Sequence, residues 1–141
     1  MCLIFIDIFR SDVDTFEKLS GQFLSTYDEI ALLSKKSPND AVNKFKLKFI
    51  NTLLANANEF LGDEYRPFDD FNEFDVDDVP QNSDVVFILS HYLQCFEKLR
   101  ADNVVIRGTV WHWAVEAGKG VTGDEKGLVY IRTVKPKRLR E

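Results

Sequence analysis

Apolar side chains recur early in the chain at steps of three and four: Val13, Phe16, Leu19, Phe23, Tyr27, Ile30 and Leu33. That spacing lays them on one stripe and predicts an amphipathic helix over 12–35. Ser11 and Asp14 have the spacing of a capping box at its start. Gly21, inside the helix, costs it about 1 kcal/mol relative to Ala and marks a break or a close helix contact. Ser37-Pro38-Asn39-Asp40 is the best start signal in the chain: a capping serine, a proline whose missing N–H is not needed, and an acid in the first turn. Val42, Phe45, Phe49, Leu53, Ala57 and Phe60 follow at helical spacing, so the second helix is expected over 38–61. Lys44, Lys46 and Lys48 lie mostly off that stripe, and Gly62 suits the left-handed position that closes a helix.

Residues 63–81 show no clean periodicity, and Pro67 and Pro80 interrupt them. A third helix is expected from Asn82 or Ser83 to about Asp102, with Val85, Leu89, Tyr92, Phe96 and Leu99 facing the core. The period then changes. Val110 to Val115 alternates and is β-branched and aromatic, four glycines mark a long turn over 117–127, and Leu128 to Val134 is a second strand. The two strands predict an antiparallel hairpin, which Val104–Ile106 and an N-terminal strand at 3–8 could extend; a helix start is the alternative for 3–8. The fold class is α+β: one domain over 1–141, three helices packed on a small antiparallel sheet. It divides into a mainly helical part at 12–102 with an acidic linker at 63–84, a hairpin region at 103–134 and a basic tail at 135–141.

Composition places the chain among globular proteins: 45% of its 141 residues are apolar and 29% charged. Cys2 and Cys95 do not make a disulfide framework, so the expected state is reduced. The apolar N-terminus lacks the basic region and cleavage site of a signal peptide, and no apolar run approaches the roughly 20 residues of a membrane span. A cytoplasmic protein without membrane association is the expectation.

Charge changes the picture more. The net charge is −5, which argues against direct nucleic-acid binding by a basic surface. Residues 63–84 alone hold nine acids against one base, Arg66, a net −8. The tail at 135–141 carries a net +3 and reads as a solubilising terminus. Within the acidic stretch, Tyr65, Phe68, Phe71 and Phe74 are spaced by three with acids between them. The rings can anchor the segment while Asp69, Asp70, Glu73, Asp75, Asp77 and Asp78 face water. Like charges at this density repel one another. Three readings compete: a solvated loop, a site for a cationic protein partner, or a site for a hard cation. The third lacks the central Gly and terminal Glu of the calcium loop pattern, so no metal ligand is assigned.

Other constellations carry less. His91 and Cys95, four apart, share a helix face with Ile88 and Lys98; a nucleophile–base pair or half a zinc site is conceivable, but inert packing is the ordinary reading of such a cysteine. Trp111 and Trp113 fall on one sheet face, where they either pack against helices or form an aromatic surface; His112 falls on the other. The glycines of 118–127 do not make a phosphate loop, because Lys119 is followed by Gly120 and the loop leads into a strand. No catalytic residue and no cofactor is assigned.

Residues 5–98 carry FLSTYDEI closing a first helix, NEFLGDEYRP ending a second, and the acidic FDVDDV before a last helix with LSHYLQCFEKL. In these features the segment resembles the small helical bacterial immunity proteins of the colicin D type; the hairpin at 110–134 lies outside the pattern. The resemblance implies an acidic protein that binds a basic nuclease toxin and masks its active site. The residues and the resemblance converge on a non-enzymatic module that binds a basic protein through the acidic segment, with inhibition of a toxin or another nucleic-acid-acting protein as its most concrete form. The alternative is a small-ligand-binding or self-associating module, a homodimer in the latter case, that uses the aromatic hairpin. An enzyme ranks last, for want of a nucleophile, base and orienting group.

Overall fold

The computed structural model describes residues 9–117 and 122–137. Among them are helices α1 (Arg10–Lys36), α2 (Lys44–Tyr65) and α3 (Asn82–Asp102), a 3-10 turn at Val76–Asp78, and strands β1 (Val104–Arg107), β2 (Val110–Glu116) and β3 (Leu128–Arg132). The strands form one antiparallel sheet in the order β1-β2-β3, so the fold class is α+β. The predicted strand at 3–8 lies outside the described residues. None of the described helices is long and apolar enough to cross a membrane.

The chain forms two compact units. Among the described residues, one joins 9–17 with 97–117 and 122–137; the other is Lys18–Phe96. The boundaries fall inside α1 and α3.

In the Lys18–Phe96 unit, α3 buries the predicted stripe: Val85, Leu89, Tyr92 and Phe96 are all inaccessible to solvent. Phe23 of α1 stacks on Tyr92 (5.5 Å between ring centroids) and tilts onto Phe96 (5.3 Å). The Tyr92 hydroxyl, drawn into this core, donates to Asn58 Oδ1 at 2.6 Å. Burial raises the Tyr92 pKa above the ordinary tyrosine value despite that bond. Of the predicted α1 stripe, Leu19, Phe23 and Ile30 are buried, Tyr27 is half-buried and Leu33 is exposed.

Helix α2 differs from its prediction twice. It starts at Lys44, not at Pro38. The backbone of 37–42 is engaged by the start of α3 instead. Val42 N–H donates to the Pro80 carbonyl (2.9 Å), Asn82 N–H to the Asp40 carbonyl (2.9 Å) and Ser83 N–H to the Pro38 carbonyl (3.1 Å), while Asn82 Nδ2 reaches the Ser37 carbonyl (2.9 Å). Asn43 caps the helix, its Oδ1 accepting from the N–H groups of Phe45 (2.7 Å) and Lys46 (3.2 Å). The inward face also shifts. Leu47, Ile50, Leu54, Ala57 and Leu61 are buried, whereas Phe45 is 70% exposed and Phe49 54%. Gly62 has the expected positive φ (+66°), but one further turn follows before the chain leaves the helix at Arg66.

In the other unit, the first turns of α1 and the last of α3 pack with the sheet. Phe16 meets Trp113 edge to face at 4.9 Å, and the Arg100 guanidinium lies 5.0 Å from the Phe16 ring centroid. Arg100 is only 5% exposed and pairs with Glu97 at 3.2 Å. Glu17 Oε2 accepts from Trp113 Nε1 and Thr133 Oγ1, both at 3.3 Å. The α1 cap also departs from prediction: Asp12, not Asp14, reaches back, accepting from the Phe9 N–H at 2.9 Å, and Ser11 lies inside the helix. The hairpin turn is organised by Asp124, whose Oδ1 accepts from the N–H groups of Lys126 and Leu128 (both 2.9 Å) and whose Oδ2 accepts from the Tyr130 hydroxyl (2.6 Å). A Cβ at Gly123 would stand 2.6 Å from the Gly127 carbonyl carbon, so this turn closes only around glycine.

Candidate functional site: the acidic segment after α2

The segment begins where α2 breaks at Gly62, and its path is set by neutral amides and one guanidinium. Arg66 donates through Nε to the Phe68 carbonyl (3.0 Å) and through Nη2 to the Phe71 carbonyl and Asn72 Oδ1 (both 2.8 Å). The lone base of this stretch thus folds the backbone around itself. Asn51, on α2, clamps Phe74 in both directions: Nδ2 donates to its carbonyl and Oδ1 accepts from its N–H, both at 2.9 Å. Asn58 Nδ2 adds a bond to the Asn72 carbonyl at 3.3 Å. Asp75 then caps the 3-10 turn, accepting from the Asp77 N–H at 2.9 Å. Val79 takes a left-handed conformation (φ 51°), and Pro80 is buried.

The aromatics make the second layer of attachment. Tyr65, Phe68, Phe71 and Phe74 are half-buried. Phe74 packs on Phe71 (5.3 Å), Phe71 on Phe68 (6.2 Å), Phe68 on His91 (5.3 Å) and His91 on Phe87 (4.7 Å), each near edge to face. Asp69, Asp70, Glu73, Asp75, Asp77 and Asp78 are all exposed. Among the described residues the ion pairs are Lys46–Glu29, Lys98–Asp102 and Arg100–Glu97, and none reaches these six carboxylates. The arrangement is an ordered backbone presenting anionic groups to solvent.

The remaining candidates separate from this site. His91 sits between two phenyl rings. Cys95 is half-buried, and burial raises its thiol pKa, opposite to what an attacking thiolate needs. Among the described residues no group of three or more His, Cys, Asp or Glu side chains converges as metal ligands would. Trp113 is fully buried against Phe16 and Trp111 is half-buried, so Trp113 takes the packing alternative and an aromatic surface formed by the pair is corrected. Exposed aromatics lie elsewhere. Phe45 and Phe49 meet edge to face at 5.1 Å and, with Ile30, Ile50 and Leu53, line a cavity of about 150 Å³. Phe87 is 58% exposed.

Sequence reasoning missed Asn51 and Asn58, because nothing local distinguishes them from solvated amides. Arg66 had a signal, as the single base in an acidic run. So did Phe87, which lies off the α3 core stripe. Compared with known proteins, the chain matches no family model, and neither the curated proteins nor the solved structures contain a significant match.

Proposed function

We propose that this protein is a non-enzymatic binding module that engages a basic protein through Asp69, Asp70, Glu73, Asp75, Asp77 and Asp78, most concretely as the inhibitor of a toxin or another nucleic-acid-acting protein. The observation that carries this reading is the division of labour in the segment: Asn51, Asn58 and Arg66 hold its backbone, and the six carboxylates stay exposed. A held segment loses less conformational freedom on binding than a mobile acidic loop. Carboxylates so displayed can stand where phosphates lie in a cationic cleft, and their field speeds encounter with a basic partner.

The test is the triple variant Asp75→Asn, Asp77→Asn, Asp78→Asn, which keeps shape and removes three charges. Wild-type and variant proteins are used to capture partners at low and at high salt. A basic protein retained by the wild type, lost at high salt and bound at least tenfold more weakly by the variant supports the interface. An identified partner held equally by both proteins overturns it.

A further inference from the structure

The aromatic run beside the acids continues to an exposed ring. Phe68 immediately precedes Asp69 and Asp70; it packs on His91, and His91 on Phe87. Asp84, Phe87 and His91 follow one another on α3 at steps of three and four, so they share a helix face. The core-facing stripe of α3 is buried without Phe87, which remains 58% exposed and adds little to the core. An exposed phenyl ring joined through two aromatic contacts to a segment rich in uncompensated carboxylates has a specific chemical complement. A guanidinium is planar and weakly hydrated; it stacks on an aromatic face while its N–H groups reach carboxylates. An ammonium is compact and strongly hydrated, and gains less from the ring.

We infer that the Phe68–His91–Phe87 ladder is the anchor of the interface, and that the partner presents an arginine side chain which stacks on Phe87 beside the carboxylates of the acidic segment. This rests on the acidic-segment reading above and adds the chemistry of the contacting element. The carboxylates then set the rate of encounter, and the ring sets how long the partner stays.

The experiment compares fluorescent deca-arginine and deca-lysine peptides of equal charge, by anisotropy at low ionic strength, on the full chain. Wild-type protein should bind deca-arginine about three- to tenfold more tightly. Phe87→Ala, and Phe87→Leu, which keeps apolar bulk without a π face, should each erase that preference and leave deca-lysine affinity unchanged. Asp75→Asn, Asp77→Asn, Asp78→Asn should weaken both peptides alike. Melting temperatures near that of the wild type would show that the variants fold, as the exposure of Phe87 leads one to expect. Equal wild-type affinities, or a preference that survives both Phe87 variants, would overturn the arginine anchor and leave the acidic interface standing. Failure of both peptides to bind would remove the acidic interface and the anchor with it.

Discussion

Aspartates in two loops of this protein are used in opposite ways. In the hairpin turn, Asp124 is the organiser: both its oxygens accept hydrogen bonds, from two backbone N–H groups and from the Tyr130 hydroxyl. In the segment after α2 the organisers are Asn51, Asn58 and Arg66, and of the six exposed acids only Asp75 accepts a bond that shapes its own turn. An ionised carboxylate is a pure acceptor, so it serves backbone N–H groups well and carbonyls not at all. The acidic segment has to satisfy the carbonyls of residues 68, 71, 72 and 74, which calls for donors; amide and guanidinium groups supply them. The carboxylates are left over for solvent and partner.

The contrast can be broken most severely at Arg66. Arg66→Met removes three hydrogen bonds from a charged donor, and the protein should lose about 2–3 kcal/mol of stability by chemical denaturation. The same variant should become susceptible to proteolysis between residues 67 and 74, while the hairpin stays intact. Asn51→Ala releases Phe74 alone and should cost about 1–2 kcal/mol, with faster amide exchange at Phe74 as the local signature.

A smaller and local effect is expected at Asp124. Its carboxyl pKa is lowered, first by the Tyr130 hydroxyl and then by the Leu128 N–H. A depressed native pKa contributes stability above the unfolded value of about 4, and that contribution is lost as pH falls through the native value. Acidification below pH about 4 should therefore loosen the hairpin turn. Tyr130 is raised by the same bond, so its share is present below about pH 10 and lost as pH rises through the native value. Asp124→Asn should return the Tyr130 titration toward the ordinary phenol value, followed by ultraviolet absorbance; an unchanged titration would remove Asp124 from its role as organiser.

The smallest effect on stability belongs to Asp75→Asn, Asp77→Asn, Asp78→Asn. Asparagine keeps the cap acceptor at position 75 and relieves repulsion, so stability should stay within about 0.5 kcal/mol of wild type or rise slightly. A clear loss would mean that these carboxylates hold the segment together, and the contrast between the two loops would fail.

The predicted helices, the hairpin and the display of the acids were legible in the sequence for one reason: each is a local matter. The α3 stripe was legible because Val85, Leu89, Tyr92, Phe96 and Leu99 recur at steps of three and four. The hairpin showed itself by a change of period from helical to alternating. The six acids were expected to face water while the aromatic rings between them anchor the segment, and all six are exposed.

Helix α2 marks where local physics stops. It carries two neighbouring apolar stripes, one through Phe45 and Phe49 and one through Leu47, Ile50 and Leu54, and either could face inward by periodicity. The tertiary structure chose the second, and that choice leaves Phe45 and Phe49 at the surface. Ser37-Pro38-Asn39-Asp40 is likewise a sound helix start in isolation; it gives way because the backbone groups of residues 80–83 claim the same segment. The roles of Asn51 and Asn58 depend on residues 23 and 14 positions away in the chain. Periodicity, charge density and turn chemistry are set by near neighbours, so the sequence alone determined the elements and the anionic display. Which stripe is buried, and which amides hold the acidic backbone, depends on partners brought together only by folding, and the tertiary structure decided both.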